Sequence, residues 1–114
     1  MDALQVSLLL DYYGDLLTER QRTCLDLKYN QDLSLSEIAE ELSVSRQGVY
    51  DTIARAEALM ENMEEKTGFL QRDMRCRQAL GSIAAAAERL MESGDSSVCA
   101  LASEILAQVG KAKE

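Results

Sequence analysis

The amino-acid sequence predicts an all-α fold of about six helices, with a helix-turn-helix at roughly Leu35 to Arg55. The 114 residues contain no proline, the residue that helix interiors tolerate least. The strong helix formers Leu, Ala, Glu, Gln, Met and Arg are abundant, and apolar residues recur at spacings of three and four. Since aromatic residues make up 4% of the chain and tryptophan is absent, we expect an aliphatic core.

Four helices are predicted in the first part of the chain, at about residues 3–13, 18–29, 34–42 and 45–66. Gly14 follows the first of them and is expected to end it in a left-handed conformation. Thr18 and Gln21 match the capping box, in which two side chains three residues apart exchange hydrogen bonds with backbone N–H groups. Ser34 and Glu37 repeat that pattern. These two pairs predict where the second and third helices begin.

Seven apolar residues define the helix-turn-helix: Leu35, Ile38, Ala39, Leu42, Val44, Val49 and Ile53. Their spacing places the first four on one face of the third helix and the last two on one face of the fourth. We expect Val44, in the turn, to fill the angle between the helices, and Ser45 to cap the fourth helix. Ser43 takes the turn position that glycine usually occupies, so we expect a left-handed serine at a cost of about 1–2 kcal/mol.

Two further helices are predicted, a fifth at about residues 70–91 and a sixth from Asp95 or Ser96 to near Val109, followed by a frayed tail. We therefore divide the chain into a helix-turn-helix domain, residues 1–70, and a C-terminal helical extension, residues 71–114, used for packing or dimerisation. The sixth helix carries a broad apolar stripe of Val98, Leu101, Ala102, Ile105, Leu106 and Val109. Because such a stripe needs a partner surface, the sequence favours a homodimer formed through the last two helices.

The spacing of these helices leaves two other interpretations open. Heptad-like seams on the fourth helix (Val49 to Met63) and on the fifth (Cys76 to Leu90) are also what packing within one chain, against Leu4, Leu8 and Leu9, would show. A third possibility is an adaptable groove for a partner helix, made by four methionines: Met60, Met63, Met74 and Met91.

Composition argues against an enzyme. The chain has no histidine, its formal net charge is −8, and it shows no constellation of acid, base, nucleophile or phosphate-binding loop. Cys24, Cys76 and Cys99 are too widely spaced for a zinc site or a disulfide framework, so we expect reduced core residues in a cytoplasmic protein. We predict no catalytic residue, cofactor, metal site or small-molecule substrate, and neither a signal peptide nor insertion in a membrane.

Two runs of the sequence, DYYGDLLTERQR and LSLSEIAEELSVSRQGVYDTI, resemble the YlxM-like family of small bacterial helix-turn-helix proteins. More distantly, they are similar to region four of the principal sigma factors. The resemblance implies an all-α fold, a regulatory role without enzyme activity, and a link to the signal recognition particle pathway. The chain departs from the family pattern at Gly48, where alanine is expected, and at Lys28-Tyr29, where a pair of aromatic residues is expected.

The fourth helix is the candidate recognition helix, which in a DNA-binding module enters the major groove. The candidate nucleic-acid-binding residues are Ser34, Ser45, Arg46, Gln47, Tyr50 and Arg55. Arg46 suits guanine and Gln47 suits adenine. Ser34 and Ser45 begin helices, where backbone N–H groups can hold phosphates.

The charges of this helix oppose nucleic-acid binding. From Ser45 to Lys66 there are three positive and five negative side chains, and affinity for nucleic acid follows the number of phosphates that a protein neutralises. Two hypotheses therefore stay open. The protein is an adaptor that binds a protein or ribonucleoprotein, with signal recognition particle components as candidate partners. Alternatively, it is a transcriptional regulator that binds DNA, or an RNA, through the helix that begins at Ser45.

Overall fold

The computed structural model describes residues 2–114, and over that range it consists of six α-helices and one short 3-10 turn, with no strand. The helices are α1 (Ala3–Tyr13), α2 (Glu19–Tyr29), α3 (Leu35–Leu42), α4 (Arg46–Thr67), α5 (Phe69–Leu90) and α6 (Ser96–Lys113), and the 3-10 turn is Gly14–Leu16. The predicted all-α fold of about six helices is confirmed. None of the helices in the described range is long and apolar enough to cross a membrane.

Both predicted capping boxes are present. The Thr18 hydroxyl accepts from the backbone N–H of Gln21 at 3.2 Å, and the Gln21 side chain accepts from the Thr18 N–H at 2.9 Å. The Ser34 hydroxyl and the Glu37 side chain form the same pair of hydrogen bonds, each at 3.1 Å. These side chains supply acceptors for N–H groups that have no partner inside the helix, so α2 and α3 begin where the sequence predicts.

Two predictions about helix ends are wrong, the conformation of Gly14 and the end of α6, whereas α1 ends at Tyr13 as predicted. Gly14 has φ −56° and ψ −36°, a right-handed conformation. The chain continues as a 3-10 turn in which the Leu17 N–H bonds to the Gly14 carbonyl at 3.1 Å, so α1 needs no left-handed residue to end it. At the other end of the chain α6 does not stop near Val109 but extends to Lys113. The Ala-Lys tail favours helix, and lysines suit the negative end of the helix dipole.

The chain divides into two compact units, a first unit that ends at Leu70 and a second unit, Gln71–Glu114. The core of the first unit is mainly aliphatic, and Tyr13 is its one aromatic residue: Val6, Leu9, Tyr13, Leu17, Cys24, Leu25, Leu27, Ile38, Ala39, Val49, Ile53, Ala56, Met60 and Leu70. Helix α4 contributes four of these residues at spacings of four, three and four, and α1, α2 and α3 all pack against it. The apolar seam of α4 is therefore core of the first unit.

Leu8 and Leu9 pack in or against the core as one interpretation expected, but the contact of Leu4 and the methionine groove are absent. Leu4 is 70% exposed and does not pack in the core, whereas Leu9 does. Met60 is fully buried and Met63 packs against the same core, so these two methionines do not form an open groove with Met74 and Met91. Spacing alone did not reveal this, because a heptad-like pattern identifies an apolar face but not what covers it.

Tyr13 ties α1 to the end of α4. Its side chain is 3% exposed, and its hydroxyl donates to Glu64 Oε1 at 2.6 Å. Since an ionised carboxylate can only accept, the Thr67 hydroxyl, also at 2.6 Å, donates to the Tyr13 oxygen. The same Glu64 oxygen accepts from the Leu70 N–H at 3.0 Å. Burial, and next the hydrogen bond to Glu64, raises the pKa of Tyr13. A single carboxylate thus joins three segments of the first unit.

The second unit buries few residues. Ala87, Ala102 and Val109 are its buried apolar side chains, and larger ones remain exposed: Met74, Ile83, Leu90, Met91, Leu101 and Ile105. The three cysteines are free, but only one is a core residue, as Cys76 is exposed and Cys99 is half-buried. Burial raises the pKa of the Cys24 thiol. The prediction of three core cysteines is correct for Cys24 and wrong for Cys76.

Candidate macromolecule-binding face of the helix-turn-helix

The turn between α3 and α4 is closed by backbone hydrogen bonds around a left-handed serine. Ser43 has φ 57° and ψ 44°, as predicted, and its N–H bonds to the carbonyls of Ala39 and Glu40. The Val44 N–H bonds to the Ala39 carbonyl at 3.0 Å. These bonds satisfy carbonyls at the end of α3 and let α4 begin two residues later at its Ser45 cap.

Val44 does not fill the angle between the two helices. It is 39% exposed, whereas Ile38 is fully buried and Val49 is 1% exposed. Leu42 is half-buried against the edge of the core. The interior beneath the turn is filled by Ile38, Ala39 and Val49, so the prediction that Val44 plugs this angle is wrong.

All six candidate nucleic-acid-binding residues are exposed: Ser34, Ser45, Arg46, Gln47, Tyr50 and Arg55. Arg46, Gln47 and Tyr50 lie together on the first turns of α4, and Tyr50 is 56% exposed. The Gln47 side-chain amide donates to Asp51 Oδ1 at 3.0 Å. Gln47 would have to give up this bond to pair with a base, and Asp51 places a negative charge beside it.

The two predicted phosphate positions differ in their local charge. At the start of α3, the Glu37 carboxylate accepts from the Ser34 N–H, and this hydrogen bond lowers the pKa of Glu37. The positive end of α3 therefore already holds a negative group. At the start of α4 the Ser45 hydroxyl accepts from the Gly48 N–H at 2.9 Å, and glycine brings no carboxylate to that position. Of these two helix starts, the geometry favours Ser45 for an anion.

The close contact with Ser45 explains why glycine occupies position 48. A Cβ atom at this position would lie 3.0 Å from the Ser45 hydroxyl oxygen, which is tighter than ordinary van der Waals contact. Glycine therefore lets the cap of α4 stay close to the helix, at a cost of about 1 kcal/mol in helix propensity relative to alanine.

Net charge is divided unevenly between the two units. The first unit contains six Lys and Arg against fourteen Asp and Glu, so the whole net charge of −8 resides there, while the second unit has six of each and is neutral. Helix α3 carries three glutamates and no basic residue, and α4 has a net charge of −2. A backbone with one negative charge per phosphate is repelled by such a surface.

The basic residues of α2 do little to offset this charge. Arg22 lies 3.6 Å from the Asp15 carboxylate. Lys28 Nζ lies 4.8 Å from the centre of the Tyr29 ring, and the Tyr29 hydroxyl donates to Glu57 of α4. Burial, followed by the hydrogen bond to Glu57, raises the pKa of Tyr29. Tyr29 thus links α2 to α4, and Lys28 lies over its ring.

Beyond its first turns, the exposed side of α4 carries an apolar stripe beside charged residues such as Arg55 and Glu61. Tyr50, Ala54 and Ala58 follow one another at spacings of four and are all exposed, and Leu59 beside them is 37% exposed. Sequence reasoning singled out Tyr50 but not the apolar surface that continues from it. The signal lies in the run Ala54-Arg55-Ala56-Glu57-Ala58, in which alanine alternates with charge.

The chain is similar to known proteins over most of its length. The family model described as "Putative helix-turn-helix protein, YlxM / p13 like" matches residues 2–96. A UPF0122 protein of Acetivibrio thermocellus is 53% identical over 83 residues, which are 69% of this chain and 71% of that protein. A UPF0122 protein of Thermoanaerobacter sp. strain X514 is 45% identical over 91 residues, 80% of this chain and 78% of that protein.

A UPF0122 protein of Clostridium kluyveri strain ATCC 8527 is 54% identical over 70 residues, 61% of this chain and 63% of that protein. The match therefore spans about six to eight tenths of these relatives' length. The family model takes in both helices of the helix-turn-helix and the turn between them, and it ends at the first residue of α6.

Proposed function

We propose, given that the chain belongs to the YlxM / p13-like family of helix-turn-helix proteins, that it is a non-enzymatic regulatory protein whose helix-turn-helix binds another protein. The observation that carries this proposal is the net charge of −8 on the unit that contains the helix-turn-helix. Such a charge lowers the affinity of this unit for a phosphate backbone and favours a partner surface with basic residues.

The exposed face of α4 suits a protein partner. An exposed tyrosine beside small apolar residues presents a large, stiff anchor on a shallow surface, and tyrosine is enriched among the residues that dominate binding energy. Tyr50 is that anchor, Ala54 and Ala58 form the shallow surface, and the acidic residues around them would form a polar rim. The family resemblance is the reason to test the protein component of the signal recognition particle first. We also propose that the protein acts as a homodimer through its last two helices.

Replacing Tyr50 with alanine is expected to weaken binding to that partner by about 30-fold, which corresponds to roughly 2 kcal/mol for a central interface residue. The measurement is isothermal titration calorimetry with the purified protein component of the signal recognition particle, and separately with its RNA. Leu4→Ala is the matched control, because Leu4 is 70% exposed and lies on α1. A partner that binds the Tyr50→Ala variant as tightly as the wild type would show that this face is not used. No binding of the protein component would reject that partner.

A DNA-binding regulator is the second candidate, and the exposure of Arg46 and Gln47 beside the Ser45 cap favours it. If it is correct, fluorescence anisotropy with duplex DNA should show binding that falls steeply between about 50 and 200 mM salt. The variants Arg46→Ala and Gln47→Ala should abolish this binding, while Arg20→Ala on α2 should reduce it only slightly. No binding to DNA at low salt would reject the candidate.

A further inference from the structure

The second unit has an apolar groove between its two helices. The groove has a volume of about 590 Å³, and its apolar lining includes Leu80 and Ile83 of α5 and Leu101, Ile105 and Val109 of α6. Ile83 is 47% exposed, Leu101 63% and Ile105 38%. Large aliphatic side chains on both walls therefore remain in contact with water.

The second unit buries few apolar side chains and leaves much of its apolar surface exposed. Two of its three buried apolar residues are alanines, Ala87 and Ala102, and the third is Val109. A pair of helices of this size rarely buries enough apolar surface to offset the entropy of ordering the chain. A further layer of helix against the groove would supply the missing burial.

We propose that a second copy of this chain occupies the groove, so that the α5–α6 pairs of two chains form a four-helix bundle in which Leu101 of each copy enters the groove of the other. This inference rests on the homodimer of the proposed function and specifies the surface that forms it. In a two-fold dimer the same patch faces itself, so one surface must provide both a ridge and a groove. Leu101 is the most exposed large apolar side chain of the groove and lies on its wall.

Charge favours a second copy over other occupants. The second unit has six basic and six acidic residues, so two copies of it meet without net repulsion. Two copies of the first unit, at −8 each, would repel one another.

The exposed apolar area agrees with what a stable dimer needs. Three residues that line the groove, Ile83, Leu101 and Ile105, are each between 38% and 63% exposed, and so is Leu90, which lies one heptad beyond Ile83 on the same face of α5. Together they expose on the order of 400 Å² of apolar surface, about half of the roughly 800 Å² that each partner buries in a standard interface. Since interfaces are about 56–65% non-polar, these side chains supply most of the apolar share of such an interface, and other apolar atoms and a polar rim supply the rest.

Much of this surface lies outside the part of the chain that the family model matches. The model ends at residue 96, whereas Leu101, Ile105 and Val109 lie on α6. The family model therefore covers the α5 wall of the proposed dimer surface but not its α6 wall.

The test is the oligomeric state of the full chain and of Leu101→Glu, measured by sedimentation equilibrium from about 1 to 100 μM. The wild type should be dimeric, and Leu101→Glu should raise the dimer dissociation constant by at least about 100-fold, since it buries a charge without a partner. Ala107→Glu is the matched control. It adds the same charge to the same helix at an exposed position that does not line the groove, and it should stay dimeric. A monomeric wild type at 100 μM, or equal effects of the two variants, would overturn the proposal.

A charge-reversal experiment separates loss of the interface from loss of folding. Leu101→Lys should also be monomeric, and an equimolar mixture with Leu101→Glu should restore a dimer because opposite charges then meet across the two-fold axis. If both variants are monomeric and their mixture is too, Leu101 does not enter the partner's groove and the proposal is wrong. The Tyr50→Ala variant should remain dimeric. Each Leu101→Glu chain should bind the partner protein of the helix-turn-helix as tightly as a wild-type chain does. Failure of the dimer and failure of the proposed function therefore give different results.

Discussion

Replacing Ile38 with alanine is expected to lower the free energy of unfolding of the first unit by about 2–5 kcal/mol. Ile38 is fully buried, and with Ala39 it is one of the two buried residues of α3. This helix has eight residues, too few to be stable without tertiary contacts. The loss should therefore weaken the helix-turn-helix itself. It is measured by urea unfolding followed by circular dichroism, with the slope against urea unchanged.

Val44→Ala is the control for this variant. Both residues belong to the apolar pattern of the helix-turn-helix, but Val44 is 39% exposed and Ile38 is not exposed at all. We expect Val44→Ala to cost less than about 1 kcal/mol, because the methyl groups it removes are already partly in water. Similar losses for the two variants would mean that Val44 does fill the angle between α3 and α4.

The features that the sequence predicts correctly are those that depend on residues close together in the chain. The capping boxes at Thr18 and Ser34 and the left-handed Ser43 each follow from a few neighbouring residues and their backbone hydrogen bonds. Leu4 and Val44 are different, because their exposure depends on which other side chains fill the space beside them. Periodicity identifies an apolar face but does not show which of its residues is displaced by a better-fitting neighbour.

The candidate site shows the same division. Helical spacing is enough to predict that Arg46, Gln47 and Tyr50 share one exposed face of α4. The hydrogen bond between Gln47 and Asp51 depends on side-chain conformations, which spacing does not fix. The same is true of the hydrogen bond from the Ser34 N–H to the Glu37 carboxylate at the start of α3. The division of charge between the two units follows from the sequence once the boundary near residue 70 is known. This charge is the strongest argument for a protein partner rather than a nucleic acid.

Glu64→Ala is expected to lower the free energy of unfolding of the first unit by about 2–3 kcal/mol, since hydrogen bonds to charged groups contribute roughly 1.5–3 kcal/mol. It removes the acceptor of both the Tyr13 hydroxyl and the Leu70 N–H. Tyr13→Phe should cost about 1–2 kcal/mol, because the ring stays in place and only the hydroxyl is lost. The double variant should cost clearly less than the sum, and this coupling, measured in a double-mutant cycle by urea unfolding, identifies the direct bond. Additive losses would show that Tyr13 and Glu64 act independently.

The pH dependence of stability gives this prediction a second and independent test. The pKa of Tyr13 is raised in the folded protein, first by burial and then by Glu64, so its unfolded form ionises at lower pH than its folded form. The contribution of Tyr13 is therefore fully present below pH about 10 and is lost as pH rises from there through the folded pKa, by at most about 1.4 kcal/mol per pH unit. Tyr13→Phe should remove this part of the alkaline slope, and Leu4→Ala should leave it unchanged. Since Tyr29 and the Cys24 thiol also have raised pKa values, some slope should remain in Tyr13→Phe and become smaller, without vanishing, when Tyr29→Phe is added. An unchanged slope in Tyr13→Phe would show that the buried hydroxyl does not control ionisation in the folded state.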